Sequence, residues 1–197
     1  MKPVFKVRQD GYYFYKRRKR FSDDLVHEIF HWFLGIFISV ILALVLVYFM
    51  GVSFIVSGES MSPGLVDGQK VLVNDLIYKF TQPKPGDVIV FLPNGNSNLN
   101  YYVKRVVAVP GDRIYVMDGN LYVNDVLSDV VTDKIIDPGL LSNEITVSQG
   151  TYFVMSDDVS DADDSRNANI GPVENRYIEG KVWFAFSKDD SKMHLVD

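Results

Sequence analysis

The sequence predicts an all-β domain with Greek-key or barrel-like closure that follows one N-terminal transmembrane helix. An apolar stretch without Asp, Glu, Lys or Arg occupies residues 29–58. Beyond it, helical periodicity gives way to short runs rich in Val, Ile, Tyr and Phe, which Gly, Pro, Asn and Asp interrupt. With 197 residues, of which 47% are hydrophobic and 23% charged, the chain has room for one membrane segment and one moderate domain.

The apolar stretch also predicts the membrane topology. It exceeds the length of about 18 apolar residues that marks a membrane-spanning helix. Residues 1–28 carry Lys2, Lys6, Arg8 and a basic cluster at 16–20 against four acidic residues, whereas the chain beyond the stretch is acidic. Since Lys and Arg near one end of a span stay on the cytoplasmic side, we expect the N-terminus inside and everything after Met50 outside the cytoplasmic membrane.

Two other interpretations of this N-terminal region fit less well. A cleaved signal peptide has a shorter apolar core that begins nearer the N-terminus. A nucleic-acid patch at residues 16–20 is disfavoured by the adjacent membrane span and by the acidic remainder of the chain. We therefore expect the lipid bilayer, and no nucleic acid, among the partners.

The predicted organisation has four parts: a basic cytoplasmic segment (1–28), a transmembrane helix (29–55), an extracytoplasmic β domain (56–187) and a C-terminal tail that is expected to fray (188–197). Predicted strands lie at 71–74, 87–91, 101–109, 113–117, 121–124, 151–155 and 181–186. The Asp-Gly-Asn at 118–120 predicts a β-hairpin. Residues 126–145 mix apolar and acidic side chains without a period, so we interpret them as a looser insertion of unassigned role.

Composition excludes several chemistries. The chain has no cysteine, and its histidines, His27, His31 and His194, are too scattered for a catalytic triad or a zinc site. The acidic stretch 157–164 resembles a calcium loop only superficially. An EF-hand loop starting at Asp161 would have arginine where glycine is needed and proline where the bidentate glutamate belongs. We expect no metal and no organic cofactor.

Ser60 and Lys104 are the candidate catalytic pair. Ser60 follows the predicted span closely, and with no histidine in any motif the remaining base for a serine nucleophile is lysine. Lys104 shares one face of a predicted strand with Tyr102, Val106 and Ala108, and an apolar setting lowers the pKa of a lysine. On pattern alone, both residues also have ordinary explanations. A serine in a Ser/Gly-rich stretch is typical of a linker, and an edge-strand lysine blocks aggregation.

Four blocks of sequence resemble type I signal peptidases, in that family's order. They are Ser-Gly-Glu-Ser-Met-Ser-Pro (57–63), Gly-Asp-Val-Ile-Val-Phe (86–91), Tyr-Val-Lys-Arg-Val-Val-Ala-Val-Pro-Gly-Asp (102–112) and Asp-Ser-Arg (164–166) with Gly-Pro (171–172). The block around Lys104 is the most specific. The resemblance covers about residues 55–187, and the single span, small size and lack of cysteine resemble the Gram-positive branch.

The resemblance implies roles for individual residues. Ser60 is the nucleophile, Lys104 is the general base, and the Ser60 N–H donates to the oxyanion. Some family members add a hydroxyl two residues before the nucleophile, where this chain has Gly58, so a second donor must come from elsewhere. Met61 is expected to pack near the membrane-facing rim of the site.

The Asp-Ser-Arg block implies a supporting group. Asp164 and Arg166 match an ion pair that holds the lysine region, Ser165 completes the motif, and Asp157 matches a further acidic position. The block also departs from the family. Ser-Asp-Asp at 156–158 replaces the usual Gly-Asp-Asn, and Ala162 stands where a hydroxyl residue commonly helps to orient the lysine. We therefore expect Lys104 to lack one orienting hydrogen bond.

The resemblance implies a membrane-anchored serine endopeptidase that removes signal peptides from secreted preproteins after small-x-small, Ala-x-Ala-like, sequences. A rival from another class is a signal-peptidase-like assembly factor for pilus or surface proteins, which would add secretion or pilus-assembly machinery to the partners. A weaker alternative is a self-cleaving Ser-Lys regulator, which the predicted anchor and the lack of a DNA-binding segment disfavour. The sequence leaves the preproteins, a housekeeping or dedicated role, and the oligomeric state open.

Overall fold

A computed structural model describes residues 23–50, 52–96, 98–186 and 193–196 of the chain. The predicted basic cluster at 16–20 and most of the tail lie outside these residues. The chain divides into two compact units, Met1–Leu44 and Val45–Asp197. Helix α1 (Asp23–Met50) contains the segment Leu25–Val45, whose length and apolar composition are those of a membrane span, and the large apolar side chains described in it are exposed.

The second unit is built almost entirely of antiparallel strands, as predicted. Its larger sheet, curled as a half-barrel, has the order β1-β2-β11-β3-β4-β9-β10, with β12 pairing to β11. These strands are β1 (Val52–Ile55), β2 (Lys70–Asn74), β3 (Val88–Phe91), β4 (Tyr102–Ala108), β9 (Thr151–Met155), β10 (Val173–Glu174), β11 (Ile178–Phe186) and β12 (Met193–Leu195). A one-turn helix, α2 (Ile77–Phe80), follows β2.

A smaller four-stranded sheet has the order β7-β6-β5-β8. Its strands are β5 (Arg113–Met117), β6 (Asn120–Val123), β7 (Val126–Leu127) and β8 (Ile145–Thr146). The predicted hairpin joins β5 to β6 through Asp118 and Gly119, both at positive φ, which is the conformation that makes Asp-Gly a hairpin signal. Residues 126–145 belong to this sheet and its core: Ile135 and Leu141 are buried with apolar residues of the hairpin.

Buried apolar side chains hold the strands together in three clusters. The first includes Val56, Met61 and Leu65 with residues of β2 and β11. The second lies between β4, β9 and the smaller sheet, and the third between β3, β4 and β9. Strand β4 contributes to all three clusters, so its polar residues are held in a rigid setting.

Two segment boundaries differ from the prediction. The helix prediction continued to residue 55, but Val52–Ile55 is a largely exposed strand paired to β2, because hydropathy cannot distinguish a short apolar strand from the end of an apolar helix. The tail was expected to fray, yet Met193–Leu195 pairs with β11. The short strands β7, β8 and β10 were also missed, since two residues are too few to show a period.

Candidate active site

Lys104 lies in the middle of β4 and is buried, with 3% of its surface exposed. Its Nζ donates a hydrogen bond of 2.8 Å to Ser156 Oγ, lies 3.8 Å from Asp161 Oδ2, and is 5.8 Å from the centre of the Tyr102 ring. Burial lowers the pKa of Lys104, and the nearby carboxylates of Asp161, Asp164 and Asp163 oppose this shift only in part. A lysine with a lowered pKa supplies more neutral amine at neutral pH, which is the form that accepts a proton.

Ser60 lies in the turn that follows β1. Its carbonyl oxygen accepts a hydrogen bond of 3.0 Å from the Asp158 N–H, which fixes the turn to the loop after β9. Among the described residues, no acceptor is hydrogen-bonded to the Ser60 N–H. This N–H is therefore available to a ligand.

One cavity of about 290 Å³ is lined by both Ser60 and Lys104. Its walls come from two segments of chain, residues 56–60 and 100–104, together with Asp161 and Asp163. The ring of Tyr101 packs edge to face against the ring of Phe54 in β1, with 4.9 Å between the ring centres. Within the described residues no hydrogen bond joins Ser60 to Lys104, whose amine donates to Ser156 Oγ. The cleft is therefore lined by a residue with a hydroxyl and a free backbone N–H and by a residue with a buried amine.

Asp164 and Arg166 form a completely buried ion pair, and Asp164 contacts Ser156, the hydrogen-bond partner of Lys104. Arg166 Nη2 lies 2.8 Å from Asp164 Oδ2, and Arg166 also donates to the carbonyl oxygens of Val159 and Asp161. Asp164 Oδ2 in turn accepts the Ser156 N–H at 2.9 Å. The pair therefore fixes the backbone that carries the hydroxyl against Lys104.

Ser156 was named in the sequence only as a departure from the family, yet it provides the hydrogen bond that Ala162 was expected to remove. The register explains this contact. Arg105 pairs with Met155 across β4 and β9, so Ser156, the residue after β9, lies opposite Lys104. No sequence signal marked the contact, because the pairing of β4 with β9 connects residues about 50 positions apart.

Asp157 and Ser165 form hydrogen bonds with the neighbouring strands β4 and β9. Asp157 receives two hydrogen bonds from Arg105, 2.8 Å from Nε and 2.9 Å from Nη2. Ser165 is fully buried and its Oγ accepts the Val154 N–H at 3.0 Å. Both residues stabilise the loop after β9 and lie outside the lining of the cavity.

Gly58 lines the cavity, whereas Met61 does not. Gly58 lines the cavity at a φ of 85°, but its N–H donates to Asp67 Oδ1 at 2.8 Å and so is already occupied. Met61 was expected at the rim of the site, but it is completely buried in the first core cluster, because the turn after Ser60 points it inward beside Val56. No group of three His, Asp or Glu residues in the described part of the chain has the geometry of a metal site.

Comparison with known proteins identifies similar chains. A family model described as signal peptidase, peptidase S26, matches residues 29–187. A signal peptidase I of Bacillus licheniformis is 30% identical, over 84% of this chain and 92% of the relative. A signal peptidase IB of Staphylococcus aureus is 31% identical, over 81% and 90%. A crystal structure of a signal peptidase I from Enterococcus faecalis aligns with a TM-score of 0.39 and 24% identity, covering 51% of this chain and 97% of that one.

Proposed function

Because this chain belongs to the type I signal peptidases, the hydrolases of peptidase family S26 that remove signal peptides, we propose that Ser60 and Lys104 are its catalytic dyad. One observation carries this proposal: a buried lysine and an accessible serine line the same cleft. The described lining has no histidine, and Lys104 is its buried amine, which supports Lys104 as the base for Ser60.

In the proposed acylation step, neutral Lys104 removes the proton from Ser60 Oγ as this oxygen attacks the scissile carbonyl carbon. The resulting tetrahedral oxyanion collapses, the C–N bond breaks, and the ammonium of Lys104 returns its proton to the leaving amine. In the deacylation step, Lys104 takes a proton from water, the hydroxide attacks the ester, and Ser60 regains its hydrogen as the signal peptide leaves. Burial favours the neutral form of Lys104 that both steps require.

The proposed oxyanion donor is the Ser60 N–H, which is free among the described backbone hydrogen bonds. The Gly58 N–H is not proposed as a second donor, because Asp67 already accepts it. Ser57 also lines the cavity, and its hydroxyl is the side-chain alternative in that segment. The oxyanion site thus rests mainly on one backbone group.

The proposed substrate lies extended between residues 56–60 and 100–104, adding a strand between the end of β1 and the start of β4. A cavity of about 290 Å³ is small, which favours short side chains beside the cleaved bond. This supports cleavage after small-x-small, Ala-x-Ala-like, sequences.

Helix α1 is the proposed membrane anchor, with the N-terminus inside and the β domain outside the cytoplasmic membrane. Its length and apolar surface support the anchor, and the basic residues before it support the orientation. Anchoring confines the enzyme and its membrane-bound preprotein to one surface, which raises their effective concentration.

The test is cleavage of a model preprotein with an Ala-x-Ala site by the full chain in detergent. We expect Ser60→Ala and Lys104→Met each to reduce the rate by about 1000-fold or more, since members of a catalytic unit fail together. Ser128→Ala and Lys134→Met are matched controls in the loop after β7, where Ser128 Oγ accepts the Val130 N–H and Lys134 donates to Asn120 of β6. They should cleave at the parent rate.

Three outcomes would change the conclusion. Cleavage that survives Lys104→Met would reject the dyad while leaving the family assignment intact. Equal cleavage of a preprotein with Trp immediately before the scissile bond would reject the small-residue specificity. A folded parent that cleaves none of several preproteins would favour the assembly-factor role.

A further inference from the structure

We propose that the hydroxyl of Ser156 is a positioning group for Lys104, aiming the lysine amine at Ser60. This inference rests on the proposed dyad and adds a residue to it. Ser156 is 1% exposed and does not line the cavity, so it acts on the substrate only through Lys104.

The contact is specific and buried. Lys104 Nζ donates to Ser156 Oγ at 2.8 Å, the ordinary length of a good hydrogen bond, and both side chains are almost completely enclosed. The nearest carboxylate oxygen, Asp161 Oδ2, is 3.8 Å from Nζ, beyond hydrogen-bond distance, and its side chain is 37% exposed. Ser156 is therefore the stronger fixed partner of the amine.

The position of Ser156 is fixed by the fold. Its place opposite Lys104 follows from the register of β4 and β9, and its N–H donates to Asp164, which Arg166 holds in a buried ion pair. Two residues later, the Asp158 N–H donates to the Ser60 carbonyl oxygen. One short loop thus holds both members of the proposed dyad.

The physical role follows from the shape of the amine. A neutral lysine amine has two N–H groups and one lone pair, and it rotates freely about the last carbon–nitrogen bond unless an N–H is fixed. When Ser156 Oγ accepts one N–H, that rotation is restricted and the lone pair can face the Ser60 side of the cavity. Misplacement of a catalytic group by about 1 Å can cost about 100-fold in rate.

The test compares Ser156→Ala with the parent, using the full chain in detergent and a preprotein substrate. We expect kcat to fall about 10- to 100-fold with KM unchanged. We also expect the acid limb of the pH–rate profile to move to lower pH. An ammonium forms a stronger hydrogen bond than an amine, so loss of the acceptor lowers the pKa of Lys104. Asp161, Asp163, Asp164 and Arg166 are the other charged groups acting on Lys104, and all are retained.

Controls separate positioning from folding. Ser165→Ala removes the other buried hydroxyl of this loop, which contacts backbone and not Lys104, so it should lower the melting temperature comparably without moving the pH profile. Ser156→Gly is a second substitution that removes the same hydroxyl, and it should move the pH–rate profile in the same direction. A circular-dichroism melt of each variant establishes that it is folded.

The outcomes are distinct from those of the dyad test. If Ser60→Ala and Lys104→Met abolish cleavage but folded Ser156→Ala and Ser156→Gly keep the parent kcat and pH profile, the positioning role is rejected and the dyad stands. A fall in rate with an unmoved profile, matched by Ser165→Ala, would also reject it, because it would reflect stability alone. Persistent cleavage by Lys104→Met would reject the dyad first.

Discussion

Lys104 and Arg166 are both buried cations, but their surroundings differ. Arg166 forms an ion pair with Asp164 at 2.8 Å and donates to backbone carbonyl oxygens, including those of Val159 and Asp161. Lys104 donates to a neutral hydroxyl, and the nearest carboxylate oxygen is 3.8 Å away. Arg166 is thus surrounded by hydrogen-bond acceptors, whereas Lys104 has few.

The difference explains why one residue is suited to structure and the other to chemistry. A guanidinium does not deprotonate in proteins, so burying it requires a counter-charge and a full set of acceptors. An amine can lose its proton instead, and the lack of a close counter-charge lets burial lower the pKa of Lys104. This incomplete set of acceptors supports the proposed role of Lys104 as a base.

The largest expected effect comes from Arg166→Met. It leaves the fully buried carboxylate of Asp164 without its partner, which costs about 3–5 kcal/mol in the free energy of unfolding. Chemical denaturation of the full chain in detergent would measure it. The matched control is Arg176→Met, which removes an exposed partner of Glu174 and should change stability little. Equal stability of the two variants would contradict the comparison.

Lys104→Met should abolish cleavage without a comparable loss of stability. Replacing a buried amine with an apolar side chain of similar length removes a desolvation penalty, so we expect a free energy of unfolding within about 1 kcal/mol of the parent, or above it. The pKa of Lys104 is lowered in the folded state, so the unfolded chain binds more protons and the parent gains stability as pH rises towards 10.5. The free energy of unfolding of Lys104→Met relative to the parent should therefore decrease between neutral pH and pH 10.5. A loss as large as that of Arg166→Met would refute this prediction.

Asp161→Asn should have the smallest effect. The negative charge of Asp161 raises the pKa of Lys104 against the effect of burial, so its removal should move the acid limb of the pH–rate profile to lower pH. Because the carboxylate is partly exposed, the shift should diminish in high salt. Asp133→Asn, an exposed residue near the smaller sheet, is the control and should leave the profile unchanged. Movement of the acid limb to higher pH would contradict the electrostatic account.

Much of the fold was predictable because its signals are local. The strands β2, β3, β4, β5, β6 and β9 lie within a residue or two of their predicted bounds, since alternating apolar residues and turn residues mark them directly. Strands β1 and β12 were missed because each takes its state from its pairing with β2 or β11. Residues 126–145 were left unassigned for the same reason. Their apolar residues follow no period along the chain, but Ile135 and Leu141 pack in the core of the smaller sheet.

The site divides in the same way. Ser60 and Lys104 were identified from sequence blocks, and the structure brings them to one cleft. The position of Met61 and the occupied N–H of Gly58 were not predictable, because both depend on how the turn after β1 packs. Lys104 was expected to lack a hydrogen bond because of Ala162, but Ser156 accepts one from it. No sequence pattern near Ser156 indicated this contact.

The sequence by itself determined an apolar helix, a series of short strands and a pair of residues suited to serine chemistry. Each of these depends on residues near one another in the chain. The tertiary structure alone decided that Lys104 is buried and that Ser156 is its hydrogen-bond partner. It also decided that Asp164, paired with Arg166, holds the backbone N–H of Ser156. The physical reason is that strand register and burial are set by contacts between distant segments, and the pKa of a lysine depends on those contacts.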